Sequence, residues 1–157
     1  MNNIMNLNIF PLTDAAKFED LCLALWRRIL SDPHAQFVGR KGQAQQGVDI
    51  IGRKDGTLNW VGVQCKVRSG GELSEADVLD DAEKAKQFNP RLSELFFATT
   101  APRDTKIKAV ARELTVKNVK AGGFPVTIYS WDDIQNELGN LHSAHPLHIF
   151  PEFPPPG

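Results

Sequence analysis

Asp49, Gln64 and Lys66 carry the side chains on which chemistry is most readily built. A carboxylate can hold a cation or take a proton, an amide oxygen adds a neutral donor, and an ammonium steadies an anion. Fourteen residues separate Asp49 from Gln64, and Lys66 follows Gln64 by two positions. Two positions along a strand restore the same face, so Gln64 and Lys66 point together.

A hairpin brings Asp49 to them. Residues 47–53 and 58–67 are rich in β-branched side chains and flank Lys54-Asp55-Gly56-Thr57, a turn-forming cluster. A four-residue loop there pairs Arg53 with Leu58 and sets Asp49 opposite Gly62, on the face of Gln64 and Lys66. Val61, Val63, Cys65 and Val67 take the other face, which is committed to core. A polar hairpin face is ordinarily a solvated one. Gly62 across from Asp49, with Gly47 just before it, leaves room for a ligand and turns the expectation toward a site.

Around the hairpin the pattern is regular. Phe18, Leu21, Cys22, Leu25, Trp26 and Ile29 recur at helical spacing over residues 14–30. Thr13 or Asp14 can cap that helix, and Ser31-Asp32-Pro33 stops it. A short extended piece at Phe37 and Val38 leads into a loop at residues 39–42. Ser74 with Asp77 opens a second helix that closes at Asn89-Pro90. Residues 95–99 form an unbroken apolar run, expected of a strand covered on both faces. Asp104 starts a third helix, residues 126–129 a further strand, and Ser130 caps a short helix over 132–138. The order is αβββαβαβα, a mixed α/β layer architecture.

The chain has 157 residues, of which 41% are hydrophobic and 24% charged, with 18 Lys and Arg against 19 Asp and Glu. Such a composition excludes a disordered, collagenous or disulfide-stapled chain. The expected organisation is an extension over 1–12, one domain over 13–140, and a Pro-rich linker over 141–157 leading to further domains. Cys22 and Cys65, the two cysteines, read as reduced buried thiols. With no apolar run near the ~20 residues that span a bilayer and no signal-peptide pattern, a cytoplasmic protein is expected. A net charge of −1 argues against holding nucleic acid by bulk electrostatics.

Asp49, its fourteen-residue spacing and Gln64-Cys65-Lys66 resemble the signature of the PD-(D/E)xK nuclease superfamily, with Gln in place of the acid. Phe18-Glu19-Asp20-Leu21 and Gly47-Val48-Asp49-Ile50-Ile51 are similar to its Mrr-like restriction endonuclease branch. Residues 97–104 and Tyr129-Ser130-Trp131-Asp132-Asp133-Ile134 resemble nuclease domains of bacterial anti-phage proteins. The resemblance implies a restriction-endonuclease-like αβββαβ core, its mixed central sheet flanked by helices. It implies that Asp49 is the central ligand of Mg²⁺, or of Mn²⁺ as a substitute. Gln64, Glu19 on the first helix and the backbone carbonyl of Cys65 would add oxygens. Lys66 would orient or help deprotonate the attacking water and stabilise phosphate charge. Arg40, Lys41, Arg68 and Arg103 are candidates for contacting substrate phosphates.

The function so implied is Mg²⁺-dependent hydrolysis of DNA, double-stranded in the first instance, by the effector domain of a larger anti-phage protein. A fused C-terminal sensor or NTPase domain and a homo-oligomeric active form belong to the same expectation. A metal site must carry acids, so neutral overall charge is compatible with it. Two other readings stand beside it. One is a catalytically inactive module of the same fold that binds nucleic acid or assembles; the other is an NAD-consuming effector, which the missing Gly-rich first turn disfavours. His142, His145 and His148 are broken by Pro146 and are not expected to bind zinc.

Overall fold

The structure, a computed structural model, describes residues 10–39 and 46–144, the side chains of 141–144 excepted. Helix α1 spans Ala15–Ile29, followed by strands β1 (Gln36–Phe37), β2 (Ile50–Arg53) and β3 (Trp60–Lys66). Then come α2 (Glu75–Ala85), β4 (Glu94–Thr99), α3 (Thr105–Lys120), β5 (Val126–Tyr129) and α4 (Trp131–Ala144). The element order is the one the sequence predicts. Local chemistry explains the starts. Asp14 accepts the Lys17 N–H at 3.0 Å, Ser74 and Asp77 form a reciprocal capping box, and Asp104 accepts the Lys106 N–H at 2.8 Å.

The five strands make one mixed sheet in the order β1-β2-β3-β4-β5. β1, β2 and β3 are antiparallel neighbours, whereas β4 and β5 run parallel to β3. Helices cover both faces. Phe18, Leu21, Cys22 and Leu25 of α1, with Ile134 and Leu138 of α4, pack against Ile50, Val61, Val63 and Phe96. On the opposite face Val78, Ala82 and Ala85 of α2, with Ile107 and Ala111 of α3, pack against Ile51, Leu95 and Phe97. β4 is thus covered on both sides, as its apolar run predicts.

Three expectations are corrected. The hairpin pairs Arg53 with Trp60 and Ile50 with Val63, so the register lies two residues away from the expected one. Its tip is held by a helical turn at Lys54–Gly56, in which Asp55 has φ 50°. The Asp55 N–H donates to the Leu30 carbonyl at 2.7 Å, and the Lys54 N–H donates to Asn59 at 3.0 Å. The connection is two residues longer than expected and spans residues 54–59 between the paired Arg53 and Trp60. Two added residues move the pairing by two and preserve which side chains share a face within the paired residues 50–53 and 60–63.

The second correction concerns Gly62, which faces Ile51 and leaves no room for a ligand. A Cβ there would lie 3.0 Å from Leu92 and 3.2 Å from Val48, so the glycine admits core packing. Accordingly the polar face of the hairpin is not open to solvent: the β3–α2–β4 crossover lays α2 over it. The third is α4, which begins at Trp131 and runs to Ala144, past the expected end at Leu138. Burial of Trp131, Ile134 and Leu138 outweighs the ~1 kcal/mol helix penalty of Gly139.

Candidate functional site

Asp49 precedes β2 and is fixed through its backbone and side chain. Its N–H donates to the Val63 carbonyl at 2.8 Å, and its carbonyl accepts from Val38 at 2.9 Å. Its Oδ2 accepts the Cys65 N–H at 2.7 Å. Its bonds to Val63 and Cys65 bracket Gln64, so Asp49 lies alongside Gln64 just outside the β2–β3 pairing. Burial pushes the Asp49 carboxyl up to about 6. The Cys65 N–H and Lys66 oppose that rise, while the charges of Glu19 and Asp81 add to it.

Gln64 stands beside it on β3 and is 5% exposed. Its Oε1 is buried without a hydrogen-bond partner, an arrangement that costs about 1–3 kcal/mol. A buried acceptor without a donor, next to a desolvated carboxylate, is suited to a cation. The donors are oxygens with little total charge, which suits a hard divalent ion that keeps several of its waters. Such an ion would partner Gln64 Oε1 and offset the burial of Asp49, so the residues fit it. Among the described residues, no three His, Cys, Asp or Glu side chains group as metal ligands. The protein's share is then Asp49 plus neutral oxygens.

Lys66, at the end of β3, points the same way, but its ammonium is taken. Its Nζ lies 2.5 Å from Asp81 Oδ2, with side chains 19% and 11% exposed. Asp81 belongs to α2 and is the residue that sequence reasoning missed. A signal for it was there: Val78, Asp81, Ala82 and Ala85 lie on one helical stripe, and an acid on an otherwise apolar stripe must meet a partner. The approach is tight. Gly47 has φ +69° and a Cβ there would overlap the Asp81 carbonyl oxygen.

The remaining candidates divide. Glu19 is half-buried on α1 and near enough for its charge to reach Asp49. Cys65 sits between Gln64 and Lys66, and its amide is what holds Asp49. The hydrogen bond that its thiol shares with Cys22, together with burial, pushes that thiol well above its ordinary value. The two thiols therefore join α1 to β3. Arg68 lies beyond Lys66, bound to Asp77 of α2 at 2.6 Å. Arg103 is held elsewhere, 3.2 Å from Asp133 of α4, and no contact among the described residues joins it to Asp49, Gln64 or Lys66. Arg40, Lys41, His145 and His148 lie outside the described residues, as does the side chain of His142.

Neither the protein-family models nor the curated proteins gave a match to this chain. Among the described residues no helix is long and apolar enough to cross a membrane.

Proposed function

We propose that the chain is a metal-dependent nuclease domain of the PD-(D/E)xK kind, in the Gln-x-Lys variant of the Mrr-like branch. The observation that carries this reading is the unpartnered, buried Gln64 Oε1 beside the desolvated Asp49. The αβββαβ element order and the mixed sheet agree with the core such a domain needs. Bound between Asp49, Gln64 and the Cys65 carbonyl, with Glu19 behind them, Mg²⁺ or Mn²⁺ would supply Lewis acidity and an activated water. Asp49 positions that ion, and its hydrogen bond from Cys65 fixes the carboxylate's orientation. Lys66 offers a donor to the water or to the developing phosphate charge, and Arg68 continues the positive line along the substrate. DNA as substrate, the defence role, the fused domain and the oligomeric active form rest on the family resemblance.

Incubation of the full-length protein with supercoiled plasmid and Mg²⁺ or Mn²⁺ tests the reading. Asp49→Ala and Lys66→Ala should each lower cleavage by about 10²-fold or more. Cleavage unchanged in either variant overturns the assignment. The Lys66–Asp81 pair favours a second reading, an inactive module that binds nucleic acid. Salt-dependent DNA binding without any metal binding by calorimetry would select it.

A further inference from the structure

Two ion pairs zip the end of β3 to α2. Lys66 meets Asp81 at 2.5 Å and Arg68 meets Asp77 at 2.6 Å. Asp77 and Asp81 are one turn apart on the helix, while Lys66 and Arg68 are two residues apart on the extended chain, so the pairs form consecutive rungs. We propose that these α2 carboxylates are an internal stand-in for substrate phosphates, a latch that a nucleic-acid backbone must displace before Lys66 can act. The proposal deepens the nuclease reading and rests on it.

The chemistry of the rungs supports the exchange. Carboxylate and phosphate oxygens accept the same charge-assisted hydrogen bonds from ammonium and guanidinium groups. A largely buried ion pair pays heavy desolvation, and an apolar residue at Asp81 would suit the Val78–Ala82–Ala85 stripe better if packing were its whole role. A second cation stands ready for the released acid: Lys84 Nζ is 4.0 Å from Asp81 Oδ1 and its side chain is 65% exposed. Opening therefore re-pairs Asp81 instead of stranding it. On the other side Arg68 lines a groove of ≈550 Å³ with Gly70, Gly71, Glu72, Thr100 and Pro102, which gives its guanidinium open space to turn into. The Arg68 N–H, bound to Thr100 Oγ1 at 2.8 Å, keeps the backbone in place while the side chain changes partner.

Binding of a fluorescent DNA duplex in Ca²⁺, followed by anisotropy, tests the latch on the full-length protein. Asp81→Asn should tighten binding about tenfold, and the gain should vanish when Lys66→Gln is also present. Glu83→Gln removes the same charge from an exposed site on α2, where Glu83 pairs with Lys86, and should change affinity by less than about twofold. In plasmid cleavage Asp81→Asn should lower KM without raising kcat. Asp77→Asn, on the more exposed rung, should act in the same direction more weakly and serves if Asp81→Asn does not fold. If Asp81→Asn and Asp77→Asn bind no better than Glu83→Gln, or if the gain survives Lys66→Gln, the latch is overturned while plasmid cleavage still supports the nuclease reading. If neither wild type nor the Asp variants bind or cleave DNA, the nuclease reading fails and takes the latch with it.

Discussion

Asp49 is held where a free carboxylate would not choose to be. Its folded-state value, raised to about 6 by burial from the ordinary 3.8, means that the folded protein binds this proton more tightly than the unfolded chain does. The stability this provides is complete below the ordinary value and is lost as pH rises through about 6. In EDTA, Asp49→Asn should therefore raise stability at pH 7.5 by about 1–3 kcal/mol and change it little near pH 4. Urea melts of both proteins at the two pH values measure the difference; an equal gain at both would contradict the burial account. Gln64 belongs to the same scale, since its unpartnered oxygen is a local stability penalty that an apolar replacement would remove. Both residues place a polar atom where stability alone does not ask for one. Functional sites commonly do so. Their types and their nearness across the hairpin were legible in sequence, because the turn cluster between them folds one run back on the other. Their burial was not, because it is α2 that decides it.

At the scale of elements, α2 is the part that turns a hairpin face into an enclosed site. It is seated by its capping box, by the Val78, Ala82 and Ala85 stripe, and by the close approach of Gly47 to the Asp81 carbonyl. Gly47→Ala meets two obstacles, a left-handed backbone at φ +69° and overlap with backbone atoms. It should cost about 2–4 kcal/mol and loosen α2. Urea unfolding gives the cost, and faster amide exchange in residues 75–85 would report the loosening. The hairpin shows how far local reading extends. Lys54-Asp55-Gly56-Thr57 announced a turn, but the connection runs on to Asn59, and its tip is bonded to Leu30 at the end of α1. Loop chemistry marked where the chain reverses; the length of the connection, and with it the register, was not written there.

For the whole molecule, the joints between layers matter as much as the two cores. Asp133 at the start of α4 accepts from Lys108 of α3 at 2.7 Å and from the Ser130 N–H and Oγ at 2.9 Å. Burial raises its carboxyl, but the bonds from Lys108 and Ser130 outweigh that and hold it below its ordinary value. A lowered carboxyl contributes stability above its ordinary range and loses it as pH falls toward the folded-state value. Asp133→Asn should thus destabilise by about 1–2 kcal/mol at pH 7 and by less near pH 3, as thermal melts at the two pH values will show. What the sequence by itself determined was the order of the described helices and strands, most of their ends, and the common face of Gln64 and Lys66. Periodicity, caps and turn residues are local properties, and they are written within a few residues of where they act. Only the tertiary structure decided that this face lies under α2, that Gly62 is filled by Val48 and Leu92, and that Lys66 is bound to Asp81. The physical reason is distance along the chain: Lys66 and Asp81 are joined by packing of a helix over a sheet, and no spacing rule in the sequence encodes how that helix will lie.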